Sequence, residues 1–217
     1  ANLGEDVNSP YSEISPTKIG NELYYTSFRF DNPNDKHDPP RQYNKVMHTE
    51  SGPAIPWDEF NSDKRHTAHS AFSIDGLTRV YFTYCDYVNE ADIRCEIYYR
   101  EKDSTEVWRD PVKLPSTINV PNFNTTNPEI AKVNGEECLF FSSNKPGGKG
   151  GLDLYFSKVN KKGKFSKPVN LNEINTDGDD ITPFYQSSMN TLFFSNNSRQ
   201  GLGGHDIFKS TLDDGEW

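Results

Sequence analysis

Short apolar runs set the pattern of this chain, with no helical stripe among them. Leu139-Phe140-Phe141 is followed by a glycine-rich stretch over 144–152 and then by a return run, Leu154-Tyr155-Phe156. Runs of this length bounded by turn residues read as strands, and continuous apolarity suits a strand covered on both faces. The unit therefore predicts a β-hairpin. It recurs at Leu192-Phe193-Phe194, and the separation from first apolar residue to acidic residue (Leu139 to Asp153, Leu192 to Asp206) is 14 residues both times. Weaker copies stand at Val80-Tyr81-Phe82 with 96–99, and at Leu23-Tyr24-Tyr25 with 44–47. The anchors Leu23, Val80, Leu139 and Leu192 are 57, 59 and 53 residues apart, in the upper range for the four-stranded blades of a propeller.

Each repeat parses into four strands, the first of them at 12–16, 71–74, 128–132 and 183–186. Tight turns such as 74–76 (Ile-Asp-Gly) and 133–135 (Val-Asn-Gly) lead from it into the apolar strand. The expected fold is all-β: a β-propeller of four four-stranded repeats, a closed ring or an arc of a larger one. It forms a single domain over 1–217, with repeats at about 10–65, 66–124, 125–179 and 180–217. In such a meander the long loops and linkers share one face, and binding residues concentrate on long loops held by a rigid scaffold. The expected binding face comprises Asp35, His37, His66, His69, Lys145, Lys149, Asp180, Arg199 and His205.

Composition changes this picture in two ways. Hydrophobic residues are only 33%, yet 14 Phe, 11 Tyr and 3 Trp supply enough buried area to exclude disorder. A net charge of −9 without a basic stripe repels phosphate backbones, so nucleic acid is not an expected partner. No apolar run approaches the ~18 residues of a membrane helix, so no membrane insertion is expected of this segment. Asn2-Leu3-Gly4 resembles Asn170-Leu171-Asn172 in mid-repeat, which predicts a segment excised from a longer multidomain chain, with signal and anchor elsewhere.

Several constellations could carry chemistry. The glycine loops lack the Lys-Ser/Thr of a phosphate cradle and read as turns needing positive φ. Asp177, Asp179 and Asp180 form an oxygen-rich cluster that could take calcium, although the glycine and distal glutamate of an EF-hand are missing; otherwise no cofactor is expected. His37, His66, His69 and His205 fall on the expected loop face but on different linkers, and they read as surface histidines, not as a zinc site. Glu13 and Glu129 are expected at equivalent first-strand positions, each followed by isoleucine, and first strands line a propeller's channel. The other blades carry Phe72 and Phe184 there, and no separate acid, base and nucleophile stand out, so the expectation is that the protein is not an enzyme.

The pattern Ser73-Ile74-Asp75-Gly76 through Val80-Tyr81-Phe82-Thr83, joined to Asn144, Pro146, Gly147, Gly148, Gly150, Gly151, Asp153 and Tyr155, resembles the WD40-like β-propeller repeat. Asn197, Gly201, Gly203, Gly204, Asp206 and Phe208 match it again in the fourth repeat. More narrowly, the pattern resembles the version in periplasmic OmpA-family and PorE-like proteins of Bacteroidota. That resemblance implies a non-catalytic interaction or scaffolding module, periplasmic or outer-membrane-associated, whose partner is an envelope protein, such as a type IX secretion component, or a peptidoglycan or glycan. The alternative is a propeller-fold carbohydrate-active enzyme or glycan-binding domain. Cys85 and Cys95 hold the places of Asn144 and Leu152, which face each other at the loop's mouth. An oxidising periplasm would permit a clasp there, so an oxidised Cys85–Cys95 pair is expected, with Cys138 a buried thiol.

Overall fold

Four antiparallel sheets follow one another along the chain in the computed structural model, which describes residues 2–32, 35–75, 78–89 and 92–217. Blade one holds β1 (Glu13–Ile19), β2 (Glu22–Asp31), β3 (Gln42–Thr49) and β4 (Ile55–Pro56). Blade two holds β5 (His66–Phe72), β6 (Arg79–Tyr87), β7 (Ile93–Glu101) and β8 (Val112–Lys113). Blade three holds β9 (Thr125–Val133), β10 (Glu136–Ser143), β11 (Asp153–Val159) and β12 (Val169–Asn170). Blade four holds β13 (Asp180–Gln186), β14 (Thr191–Asn196) and β15 (Asp206–Thr211), with an isolated Asp213–Glu216 bridge beyond. Every sheet is a meander in chain order, so the molecule is a four-bladed β-propeller. Gly76, part of the expected Asp-Gly turn, lies outside the described residues.

The second strands are apolar throughout because both of their faces are covered. In β6, Val80, Phe82 and Tyr84 pack against Tyr24, Val46 and Phe60, whereas Tyr81 points the other way, to Leu139 and Phe141. In β10, Phe140 faces Tyr185, Leu192 and Phe194 of blade four. Each fully buried side chain of this size is worth about 1.5–3 kcal/mol, and these layers fasten one blade to the next. The outer face of blade one is closed by the chain's first residues. Val7 packs on Tyr25 and Met47, and the Tyr25 hydroxyl donates to the Val7 carbonyl at 3.0 Å.

The linkers add a repeated device. Asn61, Asn119 and Asn175 each accept from the amide of a third-strand residue (Val46, Ile97 and Leu154) and donate back to its carbonyl, all at 2.7–2.9 Å. Fourth strands are only two residues long in blades one to three, and the asparagine continues the pairing beyond them. Ile207 holds the equivalent place in β15, opposite Ser195, but no such asparagine bond reaches it among the described residues. It is 78% exposed, while Val46, Ile97 and Leu154 are fully buried.

Two parts of the sequence reading are corrected. First strands begin earlier than expected, at His66, Thr125 and Asp180, because their polar lead-ins read as linker. Glu13 and Glu129 are not equivalent. Glu13 pairs with Ser27, whose counterpart Ser143 pairs with Thr125, whereas Glu129 pairs with Phe140 and matches Thr17, Ala71 and Phe184. The two glutamates stand four positions apart along the inner strand. Cys85 and Cys95 are directly opposed on β6 and β7 and joined by a disulfide, and Cys138 is a buried free thiol.

Candidate functional site

The four first strands line the centre of the propeller, and each is broken at the same point by a bulge. The bulged residues Ser15, His69, Asn127 and Thr182 all adopt left-handed backbone, with φ of 52°, 54°, 52° and 51°. Left-handed geometry costs a non-glycine residue roughly 1–2 kcal/mol, and it persists where the surroundings over-determine it, commonly at functional sites. Pro16, Pro128 and Pro183 follow three of these residues, and Ser70 follows the fourth. The bulges surround a cavity of about 570 Å³.

His69 is the hub of the ring. The Ser15 hydroxyl lies 2.8 Å from its Nδ1 and the Asn127 amide 3.1 Å from the same atom, which suits Nδ1 as acceptor. Its own amide donates to Thr26 Oγ1 at 3.0 Å. Burial pushes the imidazole down to about 4, so it is neutral at physiological pH.

The two glutamates lining this cavity are held in opposite states. Burial drives the Glu129 carboxyl up to about 8, against a smaller opposing effect of a hydrogen bond from the Tyr185 backbone. Burial also acts to raise Glu13, but hydrogen bonds from the Ser9 hydroxyl and amide, from Ser27 and from Arg29 outweigh it and hold that carboxyl below its ordinary range. Arg29 reaches Glu13 Oε1 at 3.0 Å, and the Ser9 hydroxyl at 2.6 Å. One glutamate keeps its proton at neutral pH while the other is a carboxylate. On the opposite wall, Phe184 and Ile207 expose apolar surface to the same space.

The residues expected on the loop face fall into two groups. His66, His69 and Asp180 sit on inner strands. His66 is 3% exposed, with its Nδ1 accepting from the Asn44 amide, and Asp180 is fully buried against Thr176 and Asn196. The others lie on loops. Asp35 is gripped by Arg41 at 2.7 Å and touches His37 at 2.9 Å, Lys145 lies 4.0 Å above the Tyr155 ring, and Arg199 donates to the Ile174 carbonyl at 2.6 Å. The amide of Lys149 donates to Asp153, and His205 is exposed. Asp177, Asp179 and Asp180 do not converge. Asp179 accepts from the Leu152 amide, and no group of three His, Cys, Asp or Glu among the described residues could hold a metal ion. Sequence reasoning missed Ser15, Ser70, Asn127 and Thr182. Three of the four bulges are residue-proline pairs, the one signal that could have found them.

No family model matches the chain, and no curated protein does. Its fold is similar to that of solved glycoside hydrolases. The likeness to the endo-arabinase from Bacteroides thetaiotaomicron VPI-5482 has a TM-score of 0.59 and covers 100% of this chain and 81% of that one, at 13% identity. The likeness to the GH43 endo-arabinanase from Bacillus licheniformis has a TM-score of 0.54, covering 94% and 76% at 13% identity. For the α-L-arabinofuranosidase from Lactobacillus brevis the score is 0.51, covering 94% and 70% at 11% identity. At such identity the likeness is one of fold. These findings correct the WD40-like, OmpA-family and PorE-like resemblance and, with it, the expectation of a non-catalytic envelope scaffold that rested on it. The glycine motif misled for a physical reason. Asp153 accepts from the amides of Lys149 and Gly150, and Asp206 from those of Leu202 and Gly203, while a Cβ at Gly148 or Gly201 would strike that aspartate. The motif encodes how a hairpin loop closes, and any blade needing that loop can carry it.

Proposed function

We propose that this protein is a carbohydrate-active enzyme that hydrolyses a glycosidic bond in its central cavity. The observation that carries the reading is the pair of glutamates, one protonated and one ionised at neutral pH, lining one cavity. Glycoside hydrolysis needs that division of labour. Glu129 would give its proton to the glycosidic oxygen as the bond to the anomeric carbon breaks. Glu13 would stabilise the positive charge developing on the sugar and take the proton of the water that adds to it. Phe184 offers an apolar wall to the C–H face of the ring, and the bulge residues offer hydroxyl, amide and imidazole groups to its hydroxyls. The similar structures make arabinans and arabinofuranosides the substrates to test first.

The test is Glu129→Gln, which keeps the shape and removes the transferable proton. Turnover of arabinan or an aryl arabinofuranoside should fall about 10²–10⁴-fold with binding retained. Wild-type activity should also decline as pH rises through about 8, where Glu129 loses its proton. Binding without turnover in the wild type would reduce the reading to a glycan-binding domain, and neither binding nor turnover across a panel of plant and bacterial glycans would overturn it.

A further inference from the structure

One position in the bulge ring departs from the other three, and its chemistry is unspent. Pro16, Pro128 and Pro183 follow the left-handed residue in blades one, three and four, and a proline there places an inert ring beside the channel. Blade two has Ser70 instead. The residue is 4% exposed, it lines the cavity that also holds Glu13 and Glu129, and its hydroxyl has no hydrogen-bond partner among the described residues. A buried hydroxyl without a partner costs about 1–3 kcal/mol relative to a satisfied one, so proline would be the cheaper residue here if shape alone mattered. Groups sharing the cavity are otherwise engaged: the His69 Nδ1 meets Ser15 and Asn127, and Glu13 Oε1 accepts from Ser9, Ser27 and Arg29. Ser70 is thus an idle donor and acceptor in the wall of the space in which the sugar would sit, its oxygen covered in this structure.

We infer that Ser70 is a specificity-determining residue that hydrogen-bonds a hydroxyl of the sugar bound in the central cavity. The inference rests on the glycosidase reading above but is separable from it, because it concerns recognition and not proton transfer. A sugar hydroxyl both donates and accepts, and so does serine, so the pair can be satisfied with either partner donating. Sites built to bond a hydroxyl reject analogues lacking it, because the buried protein group is then left unpaired.

The experiment measures binding of arabino-oligosaccharides and their monodeoxy analogues by calorimetry to wild type, Ser70→Ala and Ser70→Pro, with Glu129→Gln carried alongside. The proline variant restores the residue of the other three blades and guards against misfolding of the alanine variant. For wild type, one deoxy position should weaken binding about 3- to 10-fold, the effect of one hydrogen bond. In both Ser70 variants the parent sugar should be weakened by a similar factor and that deoxy analogue should show no further loss, while Glu129→Gln leaves the discrimination intact. Wild-type affinity and unchanged deoxy discrimination in folded Ser70 variants would overturn the inference and leave the glycosidase reading standing. Turnover with intact Ser70 discrimination but unaffected by Glu129→Gln would do the reverse. No binding of any sugar by the wild type would end both.

Discussion

Two kinds of buried acid–base group give this protein opposed responses to pH. His66 and His69 are pushed down to about 4 by burial, from an ordinary 6.5. Between about 4 and 6.5 the unfolded chain binds protons that the native histidines refuse, so their contribution makes stability rise with pH. Glu129 works the other way. Its native carboxyl titrates at about 8 against an ordinary 4.5, so across that window the folded protein keeps a proton the unfolded chain has lost, and stability falls as pH rises. The effects oppose each other up to 6.5, and above that only Glu129 remains. The wild-type melting temperature should therefore decline from pH 6.5 to 8.5, and Glu129→Gln should flatten that limb while leaving the acid limb in place. Scanning calorimetry decides it; parallel declines in both proteins would remove Glu129 as the cause.

At the scale of strands, what the sequence displays and what it hides follow from solvation. The second strands were legible because burial on both faces demands unbroken apolar runs, as in Leu139-Phe140-Phe141. The first strands were not, since one edge faces a polar channel and their bulges erase alternation. From bulge to anchor the separations are 8, 11, 12 and 10 residues (Ser15 to Leu23, His69 to Val80, Asn127 to Leu139, Thr182 to Leu192), so matching by spacing put Glu13 on the wrong rung. The asparagine clamps were hidden too, because an asparagine in a linker reads as a turn. Replacing Asn175 with leucine strips the partner from the amide of buried Leu154 and leaves its carbonyl with the Leu171 amide alone. The orphaned amide costs about 1–3 kcal/mol, and in a domain of about 150–250 residues each kilocalorie lowers the melting temperature by roughly 2–4 °C. Asn8 provides the contrast. It mirrors Asn175 in reaching back to an asparagine, Asn2 at 2.7 Å, but it is exposed, so Asn8→Ala should change stability by no more than about 0.5 kcal/mol. Equal losses from both would mean the clamps are not strand extensions.

For the whole molecule, the 57-, 59- and 53-residue spacing made the four blades readable, because stacked units must repeat the same buried faces. The candidate site was not readable that way, since it depends on where the bulges fall on the first strands. One feature of the stack bears on how the protein moves. Among the described residues the buried apolar clusters hold blades two and three on both faces but join blade four to blade three alone, and blade four carries exposed Phe184 and Ile207. In a stack of nearest-neighbour units, the unit with a single interface opens at the lowest free energy, so amides of β13 to β15 should exchange with deuterium sooner than those of β6 and β10. That loosest unit also supplies Thr182 and Phe184 to the cavity wall. A sugar bridging blade four to Glu13 of blade one would favour the closed stack by mass action, and the protection it confers should be concentrated in β13 to β15. A glycan bound there would act as the missing fastener, and the exchange map with it bound would trace where it holds.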